Sequence, residues 1–310
     1  MQAKVHIKDR VRQMGPGLAV IIMGLALSLL SREFLTVSNL LNLLRQVSIN
    51  AIIACGMTLV ILTGGIDLSV GSVLALSSAV LAGLAAGGTP WPLALLAALA
   101  LGAALGLFNG VIITRGKIAP FVATLGTMAI ARGFTLVYTG GRPVTGLPSA
   151  LRWLGTGYVG PIPAPIIIMV AVFAVVYLVL AHTPVGRFIY AVGSNEEAAR
   201  FAGIPVARVT ALTYVITGLA SALAGAILTG RLNSAQPTAG SGFELDAIAA
   251  VVLGGTSLAG GQGSVLGTAI GALIIGILDN GLNLLGVSSF YQQVAQGAVI
   301  LLAVLMDRRK

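Results

Sequence analysis

The sequence predicts an all-α protein held almost wholly inside a lipid bilayer. Two compositional facts and one pattern lead there. Of 310 residues, 57% are hydrophobic and only 9% are charged, against about 25% charged in a soluble domain. The mean hydropathy is +1.00, and so little charge cannot solvate the surface of a water-soluble protein of this size. The pattern is a succession of apolar runs, most near the length of about 20 residues that a helix needs to cross the hydrocarbon core. In lipid every backbone N–H and C=O must be satisfied within its own segment or a closed sheet, so runs of this length read as helices.

About ten candidate spans follow, most of them the length of one crossing. They lie near 16–31, 41–62, 69–87, 91–113, 118–139, 163–181, 209–230, 244–258, 264–285 and 290–306. The first follows Lys4, Lys8, Arg10 and Arg12 and resembles a signal peptide. Ser31-Arg32-Glu33 stands where an A-x-A cleavage site would be, so an uncleaved first helix is expected. The first and eighth runs are short, which predicts tilt, breakage or extension into their flanks. Three connections exceed simple turns: 140–162, with Trp153 and Tyr158; 183–208, the most polar internal stretch; and 231–243, rich in Gly, Pro and polar residues. The whole chain, 1–310, is expected to form one transmembrane domain.

Orientation is read from the Lys/Arg bias. With the N-terminus inside, Lys4, Lys8, Arg10, Arg12, Arg115, Lys117, Arg187, Arg200, Arg208, Arg308, Arg309 and Lys310 are cytoplasmic, while Arg32, Arg142, Arg152 and Arg231 are outside. Arg45 and Arg132 fall within spans. The bias predicts both termini in the cytoplasm, with 183–208 cytoplasmic and 140–162 and 231–243 periplasmic. A net charge of +9 would elsewhere suggest nucleic acid, but these basic residues are dispersed among short connections and form no single patch. The lone cysteine, Cys55, has no intrachain partner, and no metal-ligand cluster stands out.

Glycines at four-residue spacing, Gly102-Gly106-Gly110 and Gly263-Gly267-Gly271, share one helix face and predict close helix packing. Leu258-Ala259-Gly260-Gly261-Gln262 looks like the signature of an ABC ATPase, but the chain holds no G-x-x-x-x-G-K-[ST] loop, so a tight turn between spans is the better reading. A faint internal echo links Gly64-Gly65-Ile66-Asp67-Leu68-Ser69 to Gly254-Gly255-Thr256-Ser257-Leu258. Transporters are often built from duplicated halves.

Four polar features are candidates for function. Residues 197–203, Glu-Ala-Ala-Arg-Phe-Ala-Gly, fit a short helix capped by Asn195 or Ser194, with Glu196 and Glu197 on its N-terminal dipole and Gly203 ending it. In a polar loop such a helix is a rigid knob that another protein can grip. Gly64–Gly71 places Asp67 and Ser69 between apolar runs, either as a gating loop or as a cap for the next helix. The stretch from Asn233 through Gln236 and Glu244 to Asp246 is too polar for a lipid-facing helix and is a candidate mouth of a pathway, although acids also suit a first helical turn. Asn109, Asp279 and Asn280 are polar residues within spans, where packing hydrogen bonds are the simpler role.

Taken together, GGIDLSVG (64–71), GRFIYAVGSNEEAARFAG (186–203) and SAQPTAGSGFELDAIAAVVLGGTSLAGG (234–261) resemble the sugar ABC importer permeases, and DNGLNLLGVSSFY (279–291) is similar to the ribose branch of that family. The resemblance implies a bacterial inner-membrane subunit that does no covalent chemistry. It implies a periplasmic sugar-binding protein, a second permease copy, and a cytoplasmic ATPase that consumes ATP and Mg. It implies ATPase coupling through Gly193, Asn195, Glu196, Glu197, Ala198, Ala199, Arg200 and Gly203. The pathway or gate candidates are Asp67, Ser69, Asn109, Asn233, Gln236, Glu244, Asp246 and Asn280. Three other readings stay open. One is the same importer class with another monosaccharide or a related small polar solute as its cargo. An ion-coupled carrier would need no ATPase and would use Asp67 or Asp279. A membrane enzyme finds little to work with, since His6 and His182 lie outside the spans.

Overall fold

The computed structural model describes residues 2–307. Arg308, Arg309 and Lys310, and the side chains of Lys4, Lys8, Arg10 and Arg12, on which part of the orientation reading rests, lie outside the described residues. The chain forms α1 (Gln2–Leu30), α2 (Val37–Leu62), α3 (Val70–Ala86), α4 (Trp91–Thr114), α5 (Pro120–Thr139), α6 (Ser149–Thr156), β1 (Tyr158–Val159), β2 (Ile162–Pro163), α7 (Ala164–His182), α8 (Pro184–Ser194), α9 (Glu196–Phe201), α10 (Val206–Leu232), α11 (Phe243–Leu253), α12 (Val265–Leu284) and α13 (Ser289–Asp307).

Every apolar run predicted to span contains a helix. Among the described residues six are long and apolar enough to cross a bilayer by themselves: α2, α4, α5, α7, α10 and α12. The eighth run is the largest departure. Its helix, α11, covers only Phe243–Leu253, a rise of about 16 Å. Two connections also hold more structure than expected. The 140–162 stretch contains α6 and the β1–β2 hairpin, which is antiparallel with Tyr158 opposite Pro163. The 183–208 stretch contains two helices where the sequence suggested one.

Helix α2 is the axle of the bundle. In its apolar stretch 78% of residues are buried, against 22% in α5 and α7. Ile52, Ile53, Ala54, Met57 and Ile61 are inaccessible on every side, packed among α7, α10, α11 and α12. The peripheral helices show the reverse. Leu18, Ile21, Leu25 and Leu29 on α1, Phe121, Phe134 and Val137 on α5, and Val170, Val175 and Leu178 on α7 are exposed. In water such a belt would be a large apolar patch; around this bundle it is the surface that meets acyl chains.

The predicted glycine faces are packing faces, except that Gly263 lies in the connection before α12 and not on the face of Gly267 and Gly271. A side-chain carbon on Gly102 would sit 2.4 Å from the Gly218 carbonyl oxygen, and one on Gly106 would sit 2.2 Å from that of Tyr214. Helices α4 and α10 therefore touch backbone to backbone. Gly267 and Gly271 meet Gly254 and the Ala250 carbonyl of α11 in the same way. Some hydroxyls within the core are satisfied by their own helices, as Thr217 and Ser221 donate to carbonyls four residues back. Thr58 and Thr268 bond across α2 and α12 at 2.7 Å.

Candidate functional site: two unwound segments and an exposed knob

Two stretches of chain leave opposite ends of the bundle without helical structure, and the second packs inside it on the first turn of α3, the helix that the first leads into. The first is 63–69. Helix α2 ends at Leu62, and the chain turns back through Gly64, whose φ of +78° suits a residue without Cβ. It climbs past Tyr214 and Thr124 before α3 begins at Val70. The second is 233–242. Helix α10 ends at Asn233, which takes the left-handed conformation that asparagine tolerates. Ala235 then pairs with Val144 near that end. From there the chain dives inward, and Gly240 packs directly on Gly71: a Cβ on Gly71 would lie 2.0 Å from the Gly240 oxygen.

Arg132 fixes the depth of this crossing. It sits on α5 about 18 Å from the first residue of that helix. Its guanidinium donates to the carbonyls of Pro237 at 2.8 Å and Ala239 at 2.9 Å. Those carbonyls have left helical structure, so the charged donor replaces bonds that lipid cannot offer. The sequence marked Arg132 only as a basic residue within a span. Its partners are backbone atoms and carry no signature.

Asp67 and Ser69 stand at the head of a buried polar chain. The Asp67 carboxylate accepts from the Ser69 N–H at 2.9 Å and from its hydroxyl at 2.6 Å. Ser69 Oγ accepts from Asn109 Nδ2 at 3.0 Å, and Asn109 Oδ1 accepts from Thr127 at 2.5 Å. The four side chains tie the 63–69 segment to α4 and α5. Asp67 bonds none of the free N–H groups inside α3, which corrects the expectation that it caps that helix; it holds the turn before it. All four are buried, so none faces an open channel in this conformation.

The remaining candidates separate. Gln236 donates to Ser234 at 2.9 Å within the second segment. Glu244 accepts from its own Gly242 N–H at 3.3 Å in the first turn of α11. Asn280 forms a reciprocal amide pair with Asn39, at 3.0 and 2.9 Å, locking α12 to α2 away from the crossing. Asp279 accepts from Gln296 at 2.9 Å. Asp246 lines a cavity of ≈ 320 Å³ together with Asp279, Arg231, Asn50 and Gln46. The sequence reading did not anticipate this gathering, because its members come from α2, α10, α11 and α12. Thr238, Ser241 and Leu245 are exposed at the depth of the crossing.

At the end of the bundle where α2 stops, α8 and α9 form the knob. Asn195, and not Ser194, caps α9: its Oδ1 accepts from the Ala198 N–H at 2.9 Å. Ser194 instead closes α8, donating to the Tyr190 carbonyl. Ala199 is the buried residue of α9 and joins Leu62, Ile189, Val192 and Val265 in one apolar cluster. Glu196 and Arg200 pair at 2.6 Å on the outer face, and Glu197 and Ala198 are exposed beside them. Gly203 ends the helix with φ +79°. Phe201, which the sequence reading passed over, projects from α9 with 92% of its surface exposed.

A family described as the permease component of branched-chain amino acid transport systems matches residues 39–304. The ribose import permease protein RbsC of Bacillus subtilis (strain 168) is 57% identical over all of this chain and 97% of the relative. That of Escherichia coli (strain K12) is 54% identical over 94% of this chain and 92% of the relative. The D-allose transport system permease protein AlsC of the same strain is 40% identical over 93% of this chain and 89% of the relative. No solved structure matches. The chain is a multi-pass inner-membrane protein of the ABC transporter class, and it belongs to the family of branched-chain amino acid transport system permease components.

Proposed function

We propose that this chain is the membrane subunit of an ATP-driven, binding-protein-dependent importer of ribose. The graded likeness to its relatives supports the sugar: 57% and 54% identity to ribose permeases, against 40% to a D-allose permease. In this reading ten crossings place both termini, α8 and α9 in the cytoplasm. The 140–162 and 231–243 segments then face the periplasm. ATP and Mg are bound by a separate ATPase and none by this chain.

The observation that carries the mechanism is the packing of the second unwound segment, at Gly240, on Gly71 in the first turn of α3, directly after the first unwound segment. Irregular backbone at membrane depth is tolerated where it lines protein or water, and discontinuous helices of this kind mark transport sites near the bilayer midplane. Thr238 and Ser241 are exposed there, so the face they occupy is unsuited to lipid. A second copy of this chain pairing across that face would enclose a polar path between the two. The sugar passes along it, with Asp246 and Glu244 nearby, while the binding protein supplies affinity. ATP binding draws the ATPase domains together, α9 moves with them, and the bundle alternates between inward and outward openings. The ATP-bound and ATP-free ATPase must grip the knob differently for this equilibrium to shift.

Phe201 is the anchor expected to fill a groove of the ATPase, as exposed aromatic knobs do at interfaces. Labelled ribose uptake is measured in proteoliposomes holding this chain, its ATPase and its binding protein. ATP-dependent uptake that other sugars fail to compete is expected. Phe201→Ser should weaken ATPase association by about 2 kcal/mol or more, the scale of a hot-spot residue, and uptake should fall with it. Uptake by this chain alone without ATP would replace the importer with an ion-coupled carrier. ATP-driven uptake of a different sugar would keep the mechanism and change the substrate.

A further inference from the structure

Three glycine-rich segments, far apart in sequence, lock together beside the knob. They are the end of α2 with its turn (62–65), the end of α8 (Gly193-Ser194), and the α11–α12 connection (259–263), which contains the Gly-Gly-Gln run that imitates an ATPase signature. The Gly261 N–H donates to the Leu62 carbonyl at 2.9 Å. A Cβ on Gly193 would lie 1.8 Å from that same oxygen and 2.6 Å from the Gly261 nitrogen. A Cβ on Gly260 would lie 3.0 Å from both the Gly193 oxygen and the Gly64 nitrogen. Tyr190 on α8 reaches across and donates its hydroxyl to the Gly263 carbonyl at 3.0 Å. Apart from that of Tyr190, these contacts are backbone on backbone, with no flexible side chain between them to absorb a displacement. The left-handed φ values of Gly260 (+87°) and Gly261 (+72°) let the connection fold against α8.

From this junction two arms run into the bundle. One follows 63–69 to Asp67, Ser69, Asn109 and Thr127, and so to α3, α4 and α5. The other passes Ser264, which caps α12, and the Gly254–Gly267 contact that ties α12 to α11. The arms lead to the two helices that begin at the crossing, α3 and α11. We infer that the 62–65, 193–194 and 259–263 segments move as one rigid body that divides each displacement of α9 between the two unwound halves of the pathway. Tyr190 and Gly261 are its positioning residues. They touch neither ATPase nor solute and act through the loops they join. The inference rests on the importer reading. It gives the two echoing Gly-Gly segments a common task, since both end at this body.

The test uses the full transporter in proteoliposomes and records labelled ribose uptake and ATP hydrolysis together, since a loss of folding would lower both. Gly261→Ala places a methyl against the Ser194 backbone. It is expected to lower sugar moved per ATP hydrolysed by about tenfold, within the usual range of coupling energies, while hydrolysis and subunit copurification persist. Tyr190→Phe, which removes one hydroxyl and keeps the ring, should lower the same ratio more modestly. Rigidity is tested separately with Ser194→Cys/Gln262→Cys, both exposed positions, joined by a short bifunctional thiol reagent. Cys55 is buried and does not compete. The linked transporter should work at the unlinked rate. Arrest of uptake by the link, or an unchanged sugar-to-ATP ratio in both Gly261→Ala and Tyr190→Phe, overturns the inference. If the unaltered protein takes up ribose without ATP, it is the importer reading that fails.

Discussion

Gly106→Leu is expected to separate α4 from α10 and to leave little folded protein. The added Cβ would stand 2.2 Å from the Tyr214 oxygen and 2.8 Å from its carbonyl carbon. Both are backbone atoms of a helix packed on α2, α3 and α4. They can withdraw only by moving α10 as a whole. Overpacking a close-fitted core costs about 1–3 kcal/mol, occasionally more, and here it also opens the Gly102–Gly218 contact one turn away. Gly24→Leu is the control, because nothing lies within 4 Å of the position its Cβ would take. The comparison is read from the thermal unfolding midpoint of the purified chains in nanodiscs. Equal midpoints would show that the α4–α10 approach is not needed.

Arg132→Leu is expected to abolish uptake while the chain still inserts. The Pro237 and Ala239 carbonyls would lose their charged donor inside the membrane. Each buried carbonyl left unpaired costs about 1–3 kcal/mol. The segment would then shed the crossing with Gly71 and look for bonds elsewhere. Arg132→Lys separates charge from reach: both bonds leave one nitrogen, Nη1, and an ammonium has donors enough for two carbonyls, but on a shorter side chain. Partial uptake is expected from Arg132→Lys and none from Arg132→Leu. Wild-type uptake in Arg132→Leu would show that the crossing holds without its clamp.

The sequence carried whatever is local. Four-residue glycine spacing identified the faces that α4 and α12 present, because helical periodicity alone puts those residues in line. Asn195, Glu196 and Gly203 announced the start and stop of α9 by the chemistry of helix ends. Polar composition singled out 231–243 as unsuited to lipid. What it could not show was which distant segments meet. Gly71 lies in the first turn of α3 and Gly240 in the unwound 233–242 segment, and their contact depends on how α3, α5 and α10 pack. The partners of Arg132, and of Gly193 and Gly261, are main-chain atoms, which every residue has. Helix α8 was missed because it is short, with only Ile189, Val192 and Gly186 buried on its inner side. Asn280 was placed among pathway residues for its polarity, yet its amide pairs with Asn39 and serves packing.

The central position of α2 also sets an order in time. After α7 has covered part of this helix, its buried faces are closed by α10, α11 and α12, and the first of these begins about 140 residues after α2 ends. At synthesis rates of roughly 5–20 residues per second, α2 waits about 7–30 s before α10 emerges. Through that interval Gly56, Thr58 and their neighbours, which the finished bundle hides completely, face acyl chains or the insertion machinery. The birth of this bundle is governed by the arrival of its second half, and a ribosome stalled before residue 206 leaves an axle without its wheel.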